Sequence, residues 1–66
     1  MNVHMTKPTV KLLGEDGNAF SIIAHTRRAL LEAGRPEQAS QFSAEAFGSK
    51  SYDALLQLVV AYCDVV

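Results

Sequence analysis

One cysteine, Cys63, and two histidines, His4 and His25, are all that this chain of 66 residues offers for cross-linking by sulfur or metal. A single thiol excludes an internal disulfide. Neither histidine has a cysteine pair or a carboxylate at ligand spacing, which argues against a structural metal. There is also no charge of one sign to spare. Six Lys and Arg stand against seven Asp and Glu, for a net charge of −1. That balance brings no bulk attraction to nucleic acid or to anionic lipid. The longest uninterrupted apolar run opens at Leu58 and is far shorter than the roughly 20 residues a membrane-spanning helix needs. No charged segment leading into an apolar one marks a leader, and no repeat, low-complexity tract or linker interrupts the chain. With its lone thiol, the chain is expected in a reducing, cytoplasmic compartment.

Length sets the next constraint. A chain of this size makes one small domain and buries only roughly 60% of its unfolded surface. Folds this small usually need a staple: disulfides, a metal or a partner subunit. With the first two set aside, very good helix packing or oligomerisation remains.

What is present is punctuation. Gly34 is followed by Arg35-Pro36, and Gly48 by Ser49-Lys50-Ser51. Glycine just past a periodic apolar run ends a helix by adopting positive φ without a Cβ clash, and both glycines are expected to do so. Proline at the first helical position gives up an N–H that has no helical partner anyway. The expected fold is therefore mainly α. Residues 1–8 form a flexible tail, and residues 9–66 form one domain: a short N-terminal strand at residues 9–13 and three helices. Residues 64–66 are candidates for a short C-terminal strand beside the first.

The strand alternates, with Val10 and Leu12 on one face and Thr9, Lys11 and Leu13 on the other. The turn Gly14-Glu15-Asp16-Gly17-Asn18 could lead into a hairpin return strand or a helix. The helix is preferred, because at about 100° per residue Ala19, Ile22, Ile23, Thr26, Ala29, Leu30 and Ala33 share one face. Ser21, His25, Arg28 and Glu32 share the opposite one. Asn18 is the expected N-cap. The second helix, from Pro36 to Phe47, has a thin apolar face of Ala39, Phe42 and Ala46, and Phe47 sits off that stripe as a candidate lid. The third, after Ser51 and to about Cys63, is apolar almost all round. Tyr52, Leu55, Leu56, Val59, Tyr62 and Cys63 form one face; Ala54, Leu58, Ala61 and Val65 form a second. The expected core joins Ile23, Leu30, Phe42, Leu56 and Val59.

Chemistry is sparse. Cys63 falls on the main stripe of the third helix, where a buried thiol is inert. His25 shares its face with Ser21 and Glu32, a grouping typical of a solvated surface. The loop before the first helix lacks phosphate-loop and dinucleotide spacing and carries two acids that would repel an anion. No pattern asks for a cofactor or marks a catalytic residue. Two cations remain as candidate contacts to an anion or a partner: Lys11 on the strand, and Arg27 on the edge of the first helix's apolar face between Phe20 and Leu31.

Lys7, Thr9 and Lys11 in alternation ahead of helices resemble ribbon–helix–helix repressors over about residues 6–47. That resemblance implies N-terminal strands paired across a dimer and laid in the DNA major groove. The chain departs from it in its five-residue acidic turn, its third helix and its lack of net positive charge. Residues 10–20, read VKLLGEDGNAF, together with Tyr52-Asp53-Ala54-Leu55-Leu56, look like a small uncharacterised bacterial and mobile-element protein family of unknown function. This second resemblance implies a bacterial origin and brings no activity.

The expectation is thus a small protein-interaction or assembly module without catalysis. It would associate with itself through Ala54, Leu58, Ala61 and Val65, and a DNA-binding regulator is the alternative. Another protein is a further candidate partner; no membrane is expected.

Overall fold

The computed structural model describes residues 7–12 and 18–66. Residues 1–6 of the expected tail, Leu13 of the expected strand, and Gly14 to Gly17 of the expected turn lie outside the described residues. In chain order the elements are strand β1 (Thr9–Val10), helices α1 (Ala19–Glu32), α2 (Pro36–Phe47) and α3 (Tyr52–Tyr62), and strand β2 (Asp64–Val65).

Each helix begins and ends for a local reason. Asn18 caps α1: its side-chain oxygen accepts from the amides of Phe20 at 2.9 Å and Ser21 at 3.4 Å. Gly34 ends α1 at φ +77°. Across that glycine, the Arg35 amide donates to the Leu30 carbonyl at 2.9 Å and the Gly34 amide to Leu31 at 3.0 Å. This is the paired bonding that satisfies two of the last carbonyls of a helix. Pro36 then opens α2. Ser51 caps α3 by accepting from the Ala54 amide at 3.0 Å.

Gly48 departs from expectation. Its φ is −92°, an ordinary value for any residue. The α2 end instead tightens into three-residue turns, Gly48 donating to Glu45 and Ser49 to Ala46, both at 3.1 Å. The chain leaves α2 without the left-handed step that Gly34 supplies to α1.

β1 and β2 pair in parallel, Thr9 opposite Asp64 and Val10 opposite Val65. The two strands are shorter than the segments expected from sequence. Asp64 donates to the Pro8 carbonyl at 2.9 Å, and Val66 to Val10 at 3.0 Å. A parallel pair requires a long crossover, and here the crossover is the whole helical layer. Lys7 and Pro8, read from sequence as the end of a tail, are tied into this junction: the Lys7 ammonium donates to the Val60 carbonyl at 3.0 Å.

The core runs between sheet and helices. Val10 seals it from β1, with Leu12 partly buried beside it, while Thr9 and Lys11 face out as the alternation requires. Ile22, Ile23 and Leu30 come from α1, Ala39, Phe42 and Ala46 from α2, and Leu55, Val59 and Cys63 from α3 and its cap. The Phe42 ring meets Tyr62 edge-on with centroids 5.4 Å apart, a favoured aromatic geometry. Thr26 is the one buried polar residue among the described residues, and its hydroxyl donates to the Ile22 carbonyl at 2.9 Å.

Four of the five expected core residues are buried together; Leu56 is the correction. Leu55, Val59 and Cys63, at i, i+4 and i+8, are the side of α3 that faces inward. Leu56 is only half-buried and Tyr52 is exposed. An almost uniformly apolar helix gives its sequence no contrast from which to fix the inward direction to within one residue.

Candidate interaction surfaces

Cys63 lies at the C-cap of α3, fully buried. Burial pushes its thiol up from the ordinary value; nearby Asp64 adds to this, while Arg35 and Lys7 pull the other way. A thiol held protonated is a poor nucleophile. Among the described residues no group of three His, Cys, Asp or Glu side chains is placed to hold a metal ion, and no helix is long and apolar enough to cross a membrane.

The two cations singled out from sequence do not meet. Lys11 lines an open groove of about 390 Å³ between β1 and α1, together with His25, Arg28 and Glu32. Arg27 is exposed and, by helical geometry, lies on the other flank of α1. Arg28 is paired with Glu32, Nε to Oε2 3.1 Å, with both side chains mostly in water. Exposed i,i+4 pairs of this kind contribute little.

The surfaces with most apolar content lie elsewhere. On α3, Ala54 and Ala61 are exposed, and Val60 is 55% exposed. Leu58, expected on the same outer face, is half-buried and packs against the core. Val60, which sequence reasoning did not single out, joins Asp53, Leu56 and Gln57 around a shallow groove of about 360 Å³. No charged residue occurs between Asp53 and Asp64, so beyond its first turn, where Asp53 is exposed, the water-facing side of α3 is uncharged. The strip continues into exposed Val65 and Val66.

A second surface forms at one end of the bundle, where α1 begins, α2 ends and α3 begins. Phe20 is 70% exposed, Phe47 65% and Tyr52 44%. The Phe20 and Phe47 rings sit 6.1 Å apart, tilted by 43°. Phe47 thus folds against the start of α1 while remaining largely in water, a partial version of the lid expected from sequence. Beside these rings is a cavity of about 200 Å³, walled by Ala19, Ile23, Ala46, Leu55 and Tyr52, with Lys50 as its charged member. Sequence periodicity missed this end because Phe20 and Phe47 lie off the core stripes of two different helices. Their being off-stripe was the signal.

Comparison with protein-family models, with curated proteins and with solved structures finds no match to this chain.

Proposed function

We propose that the chain is a small, non-catalytic protein-interaction and assembly module that works as a homo-oligomer, joined along the outer side of α3. The observation that carries this reading is the water-facing side of that helix, uncharged beyond Asp53 in its first turn, with Ala54, Val60 and Ala61 exposed and Val65 and Val66 following. Surface helices normally oppose their buried stripe with charge. A helix that does not do so loses little by leaving water. Small alanines next to larger Val60 allow two helices to approach closely and interdigitate. Two-fold pairing would bury the strip on both copies at once and add the stability that a domain of this length lacks. The buried Cys63 thiol supports a non-catalytic role in a reducing compartment.

The alternative, a ribbon-type DNA regulator, draws on Lys7, Thr9 and Lys11. It has less support. β1 bonds on one side to the chain's own β2, and the Lys7 ammonium is taken by the Val60 carbonyl.

Sedimentation equilibrium tests the reading. The expected result is a dimer at micromolar concentration, with a melting temperature that rises with concentration. Val60→Glu, at an exposed position, is expected to give a folded monomer. Wild-type protein that remains monomeric at high micromolar concentration overturns the proposal.

A further inference from the structure

Three of the chain's five aromatic side chains, Phe20, Phe47 and Tyr52, stand in solvent at one end of the bundle. We propose that this end is a docking pocket for a segment of another protein, which inserts one aromatic side chain beside Ile23 and Leu55 and sets a carboxylate on Lys50. The inference rests on the interaction reading above but concerns a different surface and a different partner.

Area weighs against a second copy as the occupant. An aromatic side chain buries about 150–250 Å² in full. At their actual exposures the three rings bring on the order of 350 Å², so a stable symmetric interface of about 800 Å² per partner would have to draw more than half its area from the surface around them. The rings' own area suits a short segment anchored by one side chain.

Volume and lining fix the anchor. An apolar cavity of about 150 Å³ is enough for a benzene ring. Here about 200 Å³ is available in a partly open pocket, with Ala19, Ile23, Ala46 and Leu55 as its apolar lining, Tyr52 as an aromatic wall, and Ser49 and Ser51 beside Lys50 as its polar members. Phe20 and Phe47, next in sequence to Ala19 and Ala46, would flank the entering ring. Exposed aromatics around a pocket are the residue types that dominate interface energies.

Charge fixes the neighbour of the anchor. Among the described residues, Lys50 is the only charged one lining the cavity. The capped N-termini of α1 and α3 lie at the same end and their peptide dipoles favour negative charge there, while the C-terminus of α2, also at this end, opposes them in part. Asp53, in the first turn of α3, offsets part of this, and Glu15 and Asp16 precede α1 in the sequence. The balance favours a single carboxylate next to the aromatic group over a run of acids.

The test uses 3-phenylpropionate, one ring and one carboxylate, as the probe, followed by amide chemical shifts of the full chain. Saturable shifts at Ile23, Ala46, Lys50 and Leu55 are expected, at millimolar affinity. The neutral 3-phenylpropanamide should bind about two- to fivefold more weakly, as befits an exposed ion pair. Lys50→Ala should abolish that difference while leaving amide binding intact. Phe20→Ser and Phe47→Ser, both at exposed positions, should each weaken both probes. Shifts that are absent, that fall on the outer side of α3, or that survive both Phe substitutions unchanged would overturn the proposal. So would equal binding of acid and amide. Repeating the titration on Val60→Glu separates the two readings, because docking at the bundle end should persist whether or not copies associate through α3.

Discussion

Tyr62 donates its phenol to Glu45 Oε1 at 3.0 Å, joining α3 to α2 at the place where the same ring meets Phe42 edge-on. One side chain supplies both an apolar and a polar tie between the two helices. Tyr62→Phe keeps the ring contact and removes the hydrogen bond, and should cost about 1 kcal/mol in urea unfolding. Glu45→Gln retains an acceptor and should cost less. A Tyr62→Phe protein as stable as wild type would show that the bond adds nothing beyond what water offers.

The two glycines should respond in opposite directions. At Gly34 the φ of +77° disfavours any side chain, although the space around it is open. Gly34→Ala should therefore destabilise by about 1–2 kcal/mol. At Gly48 the backbone is ordinary, and an added Cβ would meet only the Glu45 and Ala44 carbonyl oxygens, at 3.6 and 3.8 Å. Gly48→Ala should be neutral or stabilise by up to about 1 kcal/mol, by restricting the unfolded chain. Paired thermal melts read both signs.

Ser43 presents a buried hydroxyl oxygen with no hydrogen-bond partner among the described residues. A polar atom taken from water without compensation is a cost. Ser43→Ala should raise the melting temperature, and a clear fall would mean that the hydroxyl has a partner, such as a buried water.

Leu55 and Leu56 are adjacent and chemically identical, and α3 separates them. Leu55→Ala, at a site 2% exposed, should cost about 2–5 kcal/mol, and Leu56→Ala distinctly less. The reverse order in denaturant titrations would rotate α3 by one residue.

Alkaline pH should weaken the fold through two groups. The Cys63 thiol is raised chiefly by burial, and the Tyr62 phenol by burial and then by Glu45. A raised acid binds its proton more tightly in the folded chain than in the unfolded one. The associated stability is whole below the ordinary thiol value of about 8.5 and declines as pH climbs through the thiol and then the phenol range. Stability measured against pH should fall over that span, and less steeply in Cys63→Ala. A flat profile would mean that neither group is held differently in the folded state.

Much of this fold is legible in its sequence because its signals are local. Asn18, Ser51 and Pro36 mark the helix starts by satisfying or giving up N–H groups within a few residues. The stripe of Ile22, Ile23, Thr26 and Leu30 fixes the inward face of α1 because a charged face opposes it. The conformation of Gly48 was not legible, since a glycine permits left-handed φ without requiring it. Nor was the rotation of α3, which depends on which of several equivalent apolar faces meets Phe42. The bundle-end surface was hidden for a different reason. Phe20, Phe47 and Tyr52 come from three elements, and only the up–down–up course of the helices brings them together.

The parallel strand pair has a kinetic consequence. α1 and α2 meet across a short turn, so their association closes only a small loop. The Lys7–Val60 bond joins positions 53 apart in the chain, and the β1–β2 ladder beside it spans a similar distance. Closing so long a loop is entropically costly, and that cost is recovered only once the helices already hold the two strands close. The sheet is therefore the latch that closes last on folding and opens first under stress. Transient opening at Val10 and Val66 would expose Cys63 to solvent while the helical layer stays assembled.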